Sequence, residues 1–191
     1  MSNLILASQS PRRRELLQQL QLSFTVVSSN ADETIEQHVN PADAVMELAK
    51  RKALVIAEDH PNSFVVGSDT VVAQEELILG KPENPTEAKE MLQRLSGKTH
   101  SVYTGVAIIQ GQKEHVFYEK TDVTFWELAE EQIDAYIATG EPFDKAGAYG
   151  IQALGAIFVK EIKGDYFSVV GLPISKVYRA LKDMGFTETS I

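Results

Sequence analysis

With 191 residues, 43% of them hydrophobic and 24% charged, the chain has the length of one sizeable domain and the apolar content for a packed core. It contains no cysteine, which excludes disulfides, thiolate catalysis and cysteine-ligated zinc. A net charge of -9 argues against polymeric nucleic acid as a partner but leaves room for a local cationic pocket around a single nucleotide. No apolar run approaches the roughly 18 residues that span a bilayer. Met1-Ser2-Asn3 followed by the short Leu4–Ala7 run does not make a signal peptide. The expectation is a soluble, cytoplasmic protein with no membrane partner.

Leu4-Ile5-Leu6-Ala7 reads as a short buried strand and Ser8-Gln9-Ser10 as a loop. Ser10 suits a helix N-cap and Pro11 the first helical position, with Leu16, Leu17 and Leu20 on the apolar face. Arg12-Arg13-Arg14 is anomalous there, because a helix N-terminus carries partial positive charge. Arg14 alone reads as part of a solvated patch. Ser8, Ser10, Arg12 and Arg13 together, at a strand-to-helix junction, read as an anion site suited to phosphate.

Phe24–Ser28 is predicted as a second strand, followed by an acidic loop in which Asp32 and Glu33, taken singly, are solvated acids. Pro41 to about Asp59 has helical periodicity, with Val45, Leu48, Ala49, Val55 and Ile56 in one stripe. Lys52 falls inside that stripe, so it either snorkels to an edge or reaches a partner. Phe64 to Val72 reads as a central strand buried on both faces. The Gly67-Ser68-Asp69-Thr70 stretch within it is also ordinary turn chemistry, and on its own the turn is the better reading of Asp69. Open α/β sheets, however, place ligand sites where strands end.

Gly80-Lys81-Pro82 forms a tight loop, and Asn84 caps a helix with Pro85 at its first position and Glu87 at its third. Ala88, Met91, Leu92 and Leu95 face the core, and Gly97 ends the helix. Ser101–Ile109 and Val116–Trp126 form a hairpin, Leu128–Thr139 a helix, and Ile157–Lys163 with Asp165–Val170 a further hairpin. The small-residue segment Asp144–Gln152 suits either backbone approach to a ligand or a strained structural loop. Pro173 opens the last helix, whose face is Ile174, Val177, Leu181 and Met184 with Gly185 as its stop. The four histidines show no metal-type spacing and read as surface residues. Interspersed strands and helices with late hairpins predict an α/β fold with a mixed sheet.

Cations and carboxylates are both needed for phosphate chemistry. Ser8, Arg12, Arg13, Lys52 and Lys81 can neutralise phosphate oxygens and the charge on a leaving group. Glu33 and Asp69 can hold a divalent metal and orient or deprotonate water. Neither a Walker-type loop nor a dinucleotide-binding glycine fingerprint is present, which excludes the common kinase, GTPase and dehydrogenase designs.

Leu4–Arg13, Gly67–Thr70, Gly80–Pro82, Leu95–His100, Asp144–Gln152 and Val170–Pro173, in this order and spacing, strongly resemble the Maf family of septum-formation-inhibitor-like nucleotide pyrophosphatases. The resemblance implies one domain over residues 1–191. Its expected fold is like that of the inosine-triphosphate pyrophosphatases: an elongated mixed sheet flanked by helices, with two lobes about a central cleft, often as a homodimer. It implies hydrolysis of a nucleoside triphosphate to monophosphate and pyrophosphate with a divalent metal cation, Mg2+ or Mn2+. By position, Asp69 matches the family's proton acceptor, Ser8, Arg13, Lys52 and Lys81 its substrate-binding residues, and Glu33 with Asp69 the expected metal ligands. Arg12, Thr70 and Gln152 resemble the branch acting on dTTP and UTP, where the 7-methyl-GTP branch tends to carry Trp, Gln and Glu. The alternatives are that reaction on 7-methyl-GTP, or a nucleotide-binding regulator that signals to a cell-division partner and inhibits septum formation with little catalysis.

Overall fold

Helix starts are where local chemistry decides structure: the starts expected at Pro11, Pro41 and Pro85 all form, and the last helix begins at Ile174 with Pro173 as its N-cap residue. In the computed structural model, which describes residues 3–34, 39–75 and 77–187, Met1, Ser2 and His38 lie outside the described residues. Strand β1 (Leu4–Leu6) leads into α1 (Pro11–Gln18), where Ser10 Oγ accepts the Arg13 amide at 3.4 Å. Strand β2 (Thr25–Val26) precedes α2 (Pro41–Asp59), where Asn40 Oδ1 accepts the Ala42 amide at 2.9 Å. Beyond β3 (Phe64–Gln74) and β4 (Leu77–Leu79), α3 (Pro85–Leu95) starts with Asn84 Oδ1 accepting the Glu87 amide at 2.9 Å. The Glu87 carboxylate returns to the Glu83 amide at 2.8 Å. Then come β5 (Thr99–Gln110), β6 (Lys113–Phe125), α4 (Glu130–Ala138), β7 (Val159–Lys163), α5 (Tyr166–Val170) and α6 (Ile174–Asp183). Short 3-10 turns occupy Glu141–Asp144, Ala146–Ala148 and Leu154–Phe158.

The strands form one mixed sheet in the order β2-β1-β3-β5-β6-β7, with β4 also paired to β3. Strand β1 runs parallel to both β2 and β3, whereas β4 is antiparallel to β3 and β7 to β6. The α/β class and the mixed sheet are therefore as expected.

Three local expectations about these elements are overturned, and one strand had not been expected. The stretch from Gly67 to Thr70 is not a turn but the middle of an eleven-residue strand. Asp165–Val170 is not a hairpin arm: the Asp165 carboxylate accepts the Phe167 and Ser168 amides at 3.4 and 2.9 Å, and the following apolar run winds into α5. Strand β4, only three residues long, had no distinguishing pattern in the sequence. In α2, Val55 is exposed while Ala53 and Ala57 are buried, because the helix presses its alanine side onto the sheet. A Cβ on Gly67 of β3 would lie 2.3 Å from Ala49 O, and one on Gly105 of β5 would lie 2.1 Å from Val45 O. The backbones meet where side chains are missing.

The chain gathers into two compact units, one formed by residues up to Asp69, Thr104–Glu119 and the chain from Gly171 on, the other by Thr70–Tyr103 and Lys120–Val170. The first packs Ile5, Ala49, Ala53, Ile56, Val65 and Ala107 in its core, with Phe186 edge-on to Phe64 at 5.3 Å between ring centroids. The second is built on aromatic rings: Phe125 meets Tyr149 at 4.7 Å and His100 at 4.8 Å, and Phe158 meets Tyr136 at 4.9 Å. His100, expected at the surface, is 2% exposed in this cluster. No helix among the described residues is long and apolar enough to cross a membrane.

Candidate active site

Strand β3 carries Asp69 into the first unit as a buried acid, 9% exposed. Burial of an unpaired carboxylate is strongly unfavourable, and the partner is the lysine that interrupted the apolar stripe of α2. Lys52 Nζ lies 2.6 Å from Asp69 Oδ1 and 3.0 Å from Glu33 Oε1. The close approach of α2 to β3 explains the contact. Ala49 and Ala53 flank Gly67, and Asp69, two residues further on, points to the same face of the strand. Lys52, next to Ala53, therefore reaches the carboxylate instead of solvent.

The α1 N-terminus carries the other cation. Arg13 Nε donates to Gly171 O at 2.8 Å, and Arg13 Nη1 donates to Ser8 Oγ at 3.4 Å. Ser8 Oγ also accepts the Ser10 amide at 3.2 Å. Burial lowers the Arg13 pKa; Asp69 and Glu33 oppose that shift by attraction, and Arg12 adds to it by repulsion. Ser68 Oγ lies 2.9 Å from Gly105 O and 3.1 Å from Gly171 O. Gly171, at φ 133°, thus joins the Arg13 side chain to the strand that bears Asp69. Ser68 and Gly171 had no assigned role in the sequence. Their signal was position within the Gly67–Thr70 and Val170–Pro173 motifs, and their partners are far away in the chain.

Ser8, Arg13, Lys52, Glu33 and Asp69 are all in the first unit, with half-buried Arg12 in the turn that holds Arg13. Arg14 is exposed, as a solvated patch requires. Thr70, Lys81 and Gln152 belong to the second unit, where Thr70 directly follows Asp69 on β3. Within that unit the Gly147 amide donates to Gly80 O at 3.0 Å, so the Gly80-Lys81-Pro82 loop is tied to the Asp144–Gln152 segment. Gly147, at φ 68°, leaves only 2.9 Å between an added Cβ and Val72 Cγ2. Lys81 and Gln152 are both exposed.

No group of three or more His, Cys, Asp or Glu side chains suited to a metal occurs among the described residues. Two carboxylates nevertheless converge on one ammonium within 3.0 Å. That donor set fits Mg2+ or Mn2+, which take one or two protein carboxylates and complete their shell with water and substrate phosphate.

A protein-family model described as Maf-like protein matches residues 3–184. A dTTP/UTP pyrophosphatase of Bacillus cytotoxicus is 60% identical over 182 residues, covering 95% of each chain. One of Bacillus cereus is 57% identical over 189 residues, covering 99% of each. Among solved structures, a HAM1 protein from Coxiella burnetii shares the fold at a TM-score of 0.51 and 14% identity, covering 96% of this chain and all of that one. Motifs carried on the sequence, a lysine-bound acid inside a central strand and a family match from residue 3 to residue 184 agree: this chain belongs to the Maf-like protein family.

Proposed function

We propose that the chain hydrolyses dTTP and UTP to the nucleoside monophosphate and pyrophosphate. Relatives at 57–60% identity bearing that activity in their names support the substrate class. The observation that carries the reaction is Asp69, an acid inside a strand, held by Lys52 at 2.6 Å with Glu33 on the same ammonium. Stability alone would favour an apolar residue there.

Water attacks the α-phosphorus and its proton passes to a carboxylate oxygen of Asp69. The bond from the α-phosphorus to the bridging oxygen breaks, and its electrons leave with pyrophosphate. Ser8, Arg13, Lys52 and Lys81 donate to the phosphate oxygens and offset the charge gathering on the leaving group. Glu33 and Asp69 would hold a divalent cation, which when bound makes water more acidic and shields the phosphates. Arg12, Thr70 and Gln152 select the base, and the Gln152 amide, able to donate and accept, suits the edge that thymine and uracil share.

Product analysis tests this reading. Purified protein with Mg2+ or Mn2+ is expected to release pyrophosphate, not orthophosphate, from dTTP and UTP. Asp69→Asn is expected to stay folded by circular dichroism while turnover falls by about 10²–10⁴. Orthophosphate as the product would overturn the reaction assigned, and a variant retaining most of its rate would remove Asp69 from the role.

A further inference from the structure

Gln152 stands exposed on a turn, yet the backbone on both sides of it is fastened. On one side the Gly150 amide donates to Tyr136 Oη at 3.2 Å, and Tyr149 Oη lies 2.8 Å from His100 Nε2. On the other side the Leu154 amide donates to Glu141 Oε2 at 3.2 Å and the Gly155 amide to Glu141 Oε1 at 3.3 Å. Tyr136 donates its own hydroxyl proton to Glu141 Oε1 at 2.9 Å. Both fastenings therefore converge on one carboxylate. Burial, with Glu141 beside it, raises the Tyr136 pKa and keeps that hydroxyl a donor.

The segment is shaped to accept this clamp. A Cβ on Gly150 would lie 2.5 Å from Lys145 Cε, and one on Gly155 would lie 2.5 Å from Gly150 O. Three hydrogen bonds converge on the two oxygens of this one carboxyl group. They span a turn whose exposed member is an amide that can read a base.

We propose that Glu141 is a positioning residue for nucleotide selection. Through Tyr136, Leu154 and Gly155 it presets the turn, so that the Gln152 amide meets the base without being ordered during binding. The inference rests on the reading of Gln152 as a base-recognising residue.

A double-mutant cycle with kinetics tests it. Glu141→Ala is expected to raise KM for dTTP and UTP by roughly 10-fold to 100-fold, with kcat little changed, and Glu141→Gln to restore part of the loss. In a Gln152→Ala background Glu141→Ala is expected to add less than about 2-fold, because the residue it positions is gone. Equal effects in both backgrounds, or a fall in kcat at constant KM, would overturn the proposal. If Glu141→Ala does not fold, Tyr136→Phe, which removes a single hydroxyl, enters the same cycle. Amide hydrogen exchange reads the clamp without turnover: exchange at Leu154 and Gly155 is expected to accelerate at least about 10-fold in Glu141→Ala, and unchanged rates would overturn it. An unsubstituted protein that leaves dTTP and UTP intact would overturn the selection role together with the proposed function. Accelerated exchange in the variant would then show that the failure lay in the function and not in the clamp.

Discussion

Lys52 and His100 show how one buried polar side chain can be explained by a partner while another leaves a vulnerability. Lys52 is stabilised where it is by two carboxylates, of which buried Asp69 is the closer, at 2.6 Å against 3.0 Å for the more exposed Glu33. His100 has its Nε2 on Tyr149, but its buried Nδ1 has no hydrogen-bond partner among the described residues. Burial lowers its pKa to about 4, against a weaker opposing pull from Asp122. The unfolded chain would protonate this imidazole near the ordinary histidine value of about 6.5. Between those two values the unfolded state binds more protons than the native one, so stability falls as pH drops through that window. The full effect is about 3 kcal/mol. Urea unfolding at steps from pH 7 to pH 4 should show that slope, and His100→Gln should flatten it. An equal slope in the variant would assign it to other groups. Nothing near His100 in the sequence, Ser96-Gly97-Lys98-Thr99, announces burial, since all the rings around it arrive from distant segments.

At the scale of elements, the decisive contact is α2 on the sheet. Gly67 and Gly105 remove two side chains from adjacent strands, and the helix backbone fills the space. Gly67→Ala places a methyl group 2.3 Å from Ala49 O, a backbone atom that can move only if the helix does. The expected loss is about 2–3 kcal/mol in unfolding free energy, measured by urea titration. The same displacement would part Lys52 from Asp69, so turnover should fall more than the fraction folded. A variant with normal kinetics would show that the helix position does not set the site. The N-caps of α1 and α3 were legible because a cap is settled within about four residues, whereas the Asn40 cap of α2 emerged only with the structure. The β7 to α5 segment was misread because Tyr-Phe-Ser-Val-Val suits a strand and a helix equally, and the Asp165 cap favoured the helix.

For the molecule as a whole, an acidic chain with a local set of cations should bind mononucleotides in preference to polymers. A ligand at about 100 times its Kd stabilises the native state by about 2.7 kcal/mol. For a chain of this length that is a rise in Tm of about 5–10 °C. Asp69→Asn, which should bind dTTP without consuming it, is the form in which to measure the rise by thermal melting. No shift with dTTP, or an equal shift with single-stranded DNA, would contradict the expectation. The sequence by itself determined the α/β class, the proline-led starts of α1, α2 and α3, the cationic strand-to-helix junction and the family. These depend on local side-chain chemistry or on ordered motifs that survive without coordinates. Only the tertiary structure decided that Asp69 lies within a strand, that Lys52 turns inward to it, that Gly171 receives Arg13, and that Glu141 braces the turn of Gln152. The last three pair residues at least 13 positions apart in the chain, and hydrogen bonds and close packing become specific only once the backbones have been brought together.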